Sequence, residues 1–172
     1  MTVLIVIAIV IALFFVFAKI GMSTEIQKAK DIKDIVKSLN FGRVHPYRTG
    51  MKLDEVKYIV HRLHPNVAEF DRALGMYKLI GRVPFVDIPR FYSDYIEKVS
   101  LGFNRDNVVY SINIHIKDFD KNLTELVREL SIKFGEPTSV SGDFIIWKDG
   151  HMTISISDNG SVSVIDDKLM GW

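Results

Sequence analysis

An unbroken apolar run opens the chain: Val3 through Ala18 carries no polar side chain, and the first charge is Lys19. With Lys19 snorkelling and Ile20 added, the segment reaches the ~20 residues needed to cross ~30 Å of hydrocarbon. Residues 1–21 are therefore expected to form a transmembrane anchor, which makes the chain a single-pass protein of the cell membrane. The competing reading is a cleaved secretory signal, with Val16-Phe17-Ala18 as the small-residue site. Such a signal carries basic residues ahead of its apolar stretch, and only Met1 and Thr2 precede this one. The uncleaved anchor is the better reading. A lipoprotein signal is excluded, because there is no cysteine to acylate.

Orientation follows from the Lys/Arg bias across the span. The N-terminal flank has none, whereas Lys19, Lys28, Lys30, Lys33 and Lys37 follow it. That asymmetry favours a cytoplasmic domain. The absence of cysteine removes disulfide and thiol chemistry without choosing a side.

About 150 residues remain after the anchor, enough for one domain with its own core. Lys and Arg total 22 against 21 Asp and Glu. Phosphate backbones are bound through clustered positive charge, so this balance argues against nucleic acid as a partner.

Beyond the anchor, Thr24-Glu25-Ile26-Gln27 fits a capping box. Ile26, Ala29, Ile32, Val36 and Leu39 then recur at helical spacing up to Asn40-Phe41-Gly42, which predicts a juxtamembrane helix within 22–42 and a domain over 43–172. A second helix is expected from Gly50-Met51, with Leu53, Val56, Ile59, Val60 and Leu63 on one face and Pro65 ending it. A third runs from Asn66 to about Ile80. Two prolines between Gly81 and Pro89 read as a loop.

Strand signals dominate the second half. Val99, Leu101 and Phe103 alternate, Asn104-Arg105-Asp106-Asn107 turns, and Val108, Tyr110, Ile112, Ile114 and Ile116 alternate again. A four-residue loop would pair Phe103 with Val108 and Leu101 with Tyr110. A helix with Leu123, Val127, Leu130 and Phe134 inward follows, ended by Gly135 and Pro137. Three more strands close the chain. An Asp149-Gly150 turn would set Ile145 and Trp147 beside Ile154 and Met152. A three-residue Asp158-Asn159-Gly160 loop sets Ile156 opposite Val162 and Ile154 opposite Val164, which keeps the apolar sets on one face. The expected class is α+β, with helices packed on one face of an antiparallel sheet. Residues 51–116 and 120–166 each read as helix then strands, which suggests a duplicated α-β-β unit.

The C-terminal half, with Phe134-Gly135-Glu136-Pro137, Trp147 on a strand, Ile154-x-Ile156 and Asn159-Gly160-Ser161-Val162, resembles the BamE/SmpA-like envelope fold. Gly50-Met51-Lys52-Leu53-Asp54-Glu55-Val56 is similar to that fold's helix-opening Gly-Met-x-x-x-x-Val pattern. The resemblance covers roughly residues 49–63 and 120–166. It implies a non-enzymatic scaffold or binding module of the envelope, with its domain outside the cytoplasm, against the charge bias. The acylated cysteine of that family's lipoproteins is missing here.

Candidate chemistry is sparse. His61 and His64 share a helix face and, with His45 or a carboxylate, would suit a metal; exposed helix-end histidines are the plainer reading, and no metal site is assigned. His115 and His151 are expected near each other on the outer sheet face, among Ser111, Asn113 and Thr153, where a solvated polar face is ordinary. Ser157-Asp158-Asn159 matches one element of the penicillin-binding serine enzymes, but Ser-x-x-Lys and Lys-Thr-Gly are absent, so the tripeptide is a turn. No serine elbow, P-loop or His-Glu-x-x-His occurs. Asp54-Glu55 and Asp166-Asp167 offer no acid/base pair. No catalytic residue and no cofactor are therefore assigned.

Two surfaces remain. Lys30, Lys33 and Lys37 form a stripe that would face anionic lipid, with pairing to Asp31 and Asp34 as the alternative. Phe144, Ile146 and Ile165 fall on the outer sheet face with Val109 nearby, a patch suited to a protein partner or to self-association. The tail Leu169-Met170-Gly171-Trp172 is expected to serve this patch or to fray. The expected function is a membrane-anchored, non-catalytic protein-binding or scaffold module. The alternatives are a tethered enzyme or metal protein built on the histidines, or a sensor of anionic lipid.

Overall fold

Alternation of branched apolar and small polar residues over 96–116 and 144–166 builds the frame of the computed structural model, which describes residues 29–63, 67–80, 85–88 and 93–170. Its elements are α1 (Ile32–Ser38), β1 (Leu39–Asn40), β2 (Arg43–Val44), β3 (Tyr47–Arg48), α2 (Leu53–Leu63), α3 (Ala68–Ile80), β4 (Phe85–Asp87), β5 (Ile96–Phe103), β6 (Val109–Ile116), α4 (Phe119–Phe134), β7 (Ser139–Ser141), β8 (Phe144–Asp149), β9 (Met152–Ser157) and β10 (Ser161–Asp166). The apolar run at 3–18 and the Thr24 capping box lie outside the described residues. Among the described residues, no helix is long and apolar enough to cross a membrane.

The class is α+β. A seven-stranded sheet runs β4-β5-β6-β10-β9-β8-β7, antiparallel throughout. Its core-side rows are Val99, Leu101, Ile112, Ile114, Ile154, Ile156, Val162 and Val164, all buried. Ile32 and Ile35 of α1, Val56 and Val60 of α2, Phe70 and Leu74 of α3 and Leu126 and Leu130 of α4 join them in one cluster. Trp147 reaches inward from β8, 1% exposed, and its Nε1 donates to the Gly135 carbonyl at 2.9 Å, satisfying an acceptor just past the end of α4.

Helix α1 begins later than its periodicity suggests. Ala29 and Lys30 are not helical, because Asp31 is extended and its carboxylate accepts from the Asp34 amide at 2.7 Å, which starts the helix there. Its C-terminus is held by Lys133 of α4, whose Nζ donates to the carbonyls of Val36 at 2.9 Å and Lys37 at 3.1 Å, and to that of Leu39. A cation at a helix C-terminus complements its dipole, and partial burial lowers the Lys133 pKa.

The β9–β10 loop is the expected three-residue turn, with Ile156 opposite Val162, Ile154 opposite Val164 and Gly160 at φ +83°. Two other registers differ. In the β8–β9 hairpin Asp149 pairs with Met152, so Trp147 faces Ile154 and Ile145 faces Ile156. The turn residues are Gly150 and His151, with Gly150 at φ +59° in the first position, where a II′ turn takes glycine. The slip of two residues preserves the faces.

In β5–β6, Leu101 faces Ile112 and Phe103 faces Val109, with a bulge after Gly102. Asn104 Oδ1 accepts from the amides of Asp106 and Val108, both at 3.0 Å, and fixes this turn. The bulge turns Val109 inward and leaves Tyr110 on the opposite face, against Phe85 with ring centroids 6.2 Å apart. Five short strands were not expected: β1, β2 and β3, which form a separate three-stranded sheet, and β4 and β7 at the two edges of the larger one. Val86 supplies the buried anchor of β4, and flanking prolines are compatible with an edge strand.

Candidate functional site

The face of the sheet turned away from the core cluster has its own composition, set by the polar half of each alternation. One row crosses Asp87, Ser100, Asn113, Ser163, Ser155 and Ile146; the next crosses Phe85, Gly102, Ser111, Ile165, Thr153 and Lys148. A third joins Lys98, His115, Ser161, Ser157 and Phe144. Small hydroxyl side chains form the floor, and Ser100, Ser111, Thr153, Ser155, Ser157 and Ser161 are buried. Apolar groups stand at both margins: Phe85 and Tyr110 toward β4, Phe144 and Ile146 toward β7. None of the floor residues belongs to the core cluster, nor do Phe144, Ile146 and Ile165.

The patch expected from the sequence is therefore partly assembled. Phe144 is 47% exposed, and Ile146 and Ile165 are half-buried on the same face. Val109 is not part of it: the bulge at Gly102 and Phe103 turns it into the core, where it is fully buried. Its amide and carbonyl bond Met51 and Gly50. The residues of this face that sequence reasoning missed are Phe85 and Tyr110; Val140 of β7, also missed and 71% exposed, lies on the opposite, core-side row. Their signal was present as alternation in Phe85-Val86-Asp87 and Ser139-Val140-Ser141, but three residues are too short a run to separate from a loop.

Among the described residues the histidines do not converge. His61 Nε2 lies 3.1 Å from Asp71 Oδ1, tying α2 to α3, while His64 lies outside the described residues. His115 is paired with Ser161 at the start of β10, whereas His151 lies in the turn beside Asp166, 3.8 Å away, at its end. Five residues of extended strand, roughly 17 Å, separate those positions, so the two are not neighbours. Burial, then the Lys98 charge, lowers the His115 pKa. Among the described residues no group of three or more His, Asp or Glu is placed to hold a metal.

The remaining acids and hydroxyls serve the fold. Ser157 and Ser161 hydroxyls both donate to Asn159 Oδ1, at 2.5 and 2.7 Å, closing the turn that contains Ser157-Asp158-Asn159. Glu55 accepts from the Lys52 amide at 2.7 Å and lies 3.5 Å from Arg48. Asp54 pairs with Lys57 and Asp167 with Lys148. Beside the β9–β10 turn, a cavity of about 340 Å³ is lined by Asp118, Asp120, Lys121, Asp158 and Asn159. Within it Lys121 Nζ lies 3.8 Å from Asp118 Oδ1.

The lysine stripe is broken. Lys30 precedes α1 and only Lys33 and Lys37 share its exposed side. Lys37 Nζ lies 3.1 Å from Asp34 Oδ1. The Lys30 amide bonds the other Asp34 oxygen at 3.2 Å. That backbone bond, then Lys37, lowers the Asp34 pKa.

The family model described as the TP0088 domain matches residues 45–171. No curated protein and no solved structure matches the chain.

Proposed function

The chain belongs to the TP0088 domain family, and on that premise we propose that it is a single-pass membrane protein whose α+β domain binds another protein without catalysis. The observation that carries this reading is the outer sheet face: small hydroxyls between apolar margins, with Phe144 exposed on one of them. Such a face is flat and low in conformational entropy, and apolar margins give a partner something to bury.

The anchor rests on the Val3–Ala18 run, and the Lys/Arg bias after it favours the cytoplasmic side for the domain. The BamE/SmpA-like resemblance favours the opposite side and the same non-catalytic role. Duplication of an α-β-β unit is supported by strand order, since the meanders β4-β5-β6 and β8-β9-β10 meet through their last strands. Among the described residues His115 and His151 lie apart, which weakens an enzyme built on that pair, and the Lys37–Asp34 pair weakens the lipid-sensor alternative.

A photo-crosslinking residue at Phe144 in the full chain tests this reading in native membranes. A discrete protein adduct from position 144, absent when the same residue replaces Tyr58, is the expected result. Equal or absent adducts at both positions would refute the sheet-face assignment. The side is settled by placing the chain's first cysteine at Ser139 or Thr2 and labelling intact cells with an impermeant maleimide: a cytoplasmic domain labels at Thr2 alone.

A further inference from the structure

The two margins of the sheet are finished differently. At β4, α3 packs nearby, Asp87 holds Ser100 at 2.7 Å and Lys98 at 3.8 Å, and Phe85 lies against Tyr110. At β7, Ser139, Val140 and Ser141 are all exposed, and the strand bears no charge, bulge or proline. Edge strands usually carry such protection, because their free backbone groups invite another strand. Val140 is in register with Ile145, Ile156 and Val162, so it extends the core-side row past its last covered position.

From this edge we infer the partner's chemistry: an extended segment of another protein that adds to β7 as an eighth strand, with an apolar residue at its centre and basic residues toward its ends. The charges follow from Glu136 before the strand and Asp143 after it. Both are exposed, and neither side chain enters an ion pair or hydrogen bond among the described residues. Main-chain pairing supplies affinity and the flanking charges supply selection in this mode of recognition.

A second copy does not fit. Antiparallel pairing of β7 with itself, centred on Val140, would bring Glu136 of one copy beside Asp143 of the other at both ends of the strand, and like charges across a strand pair are destabilising. The inference rests on the anchored binding-module reading.

The test uses the full chain in detergent and a labelled synthetic peptide, Lys-Thr-Thr-Val-Thr-Thr-Lys, with a Glu-ended version as control. Anisotropy should show saturable binding of the basic peptide, weakened by added salt, and hydrogen exchange should slow at residues 139–141. Val140→Lys, which protects the edge, and the double variant Glu136→Lys/Asp143→Lys, which leaves the strand intact, should each weaken binding by about tenfold or more. Equal binding of the Glu-ended peptide, unchanged binding to both variants, or exchange protection away from 139–141 would overturn the inference. So would a disulfide dimer of Ser139→Cys in membranes, which would make a second copy the occupant. If the peptide fails while Phe144 still crosslinks a protein, the edge assignment alone falls; if neither occurs, the binding-module reading falls with it.

Discussion

At the scale of single residues, His115 joins the outer face to solution pH. It sits among polar neighbours beside Lys98, and burial together with that charge holds its pKa below the ordinary 6.5. The unfolded chain therefore takes up the proton first as pH falls through 6.5, so the stability held by neutral His115 is complete above that value and lost toward its folded-state pKa. Replacing His115 with Asn should flatten the pH dependence of the urea midpoint between pH 7 and 5 relative to the natural chain. A parallel pair of curves would remove His115 as the cause. The outward position of this histidine was legible from β6 alternation, but its separation from His151 was not, since that depends on which ends of β10 they meet.

Among the elements, the β5–β6 pair explains why faces are easier to read than registers. Branched residues every second position announce a half-buried strand, and Ile112, Ile114 and Ile116 lie inward as expected. A bulge inserts one unpaired residue without changing composition, so Val109 and Tyr110 exchange the roles that strict alternation gives them. Gly102 marks the place: a Cβ there would lie 2.3 Å from Ser111 Oγ and 2.9 Å from the Phe85 ring. Gly102→Ala should therefore destabilise the domain by about 1–3 kcal/mol through overpacking. Gly102→Ala with Ser111→Ala should recover part of that loss, because the nearest atom is gone. Chemical denaturation of both variants measures it, and no recovery would place the strain in the backbone instead. The unexpected β4 and β7 mark the other limit of sequence pattern. Their three residues acquire strand character from β5 and β8, not from their own periodicity.

For the whole molecule, the packed domain begins earlier than either the helical pattern or the family match places it. The family match begins at His45, yet Ile32, Ile35, Val36 and Leu39 upstream of it are 0–3% exposed in the common core. Nothing in those residues alone distinguishes a free-standing amphipathic helix from a docked one; docking is supplied by Lys133, 94 to 97 positions away, and by the apolar side of α4. Burying an aliphatic side chain of this size contributes about 1.5–3 kcal/mol. Four of them together approach the 5–15 kcal/mol that stabilises a typical domain. Removal would also uncover part of α4 and leave the Lys133 ammonium without its carbonyls. The stretch 45–171 expressed alone should therefore fail to fold cooperatively at 25 °C, whereas 29–171 should give a single sharp thermal transition. Circular dichroism melts of the two fragments decide the matter. A cooperative transition of 45–171 at the temperature of the longer fragment would show α1 to be dispensable packing on a self-sufficient domain.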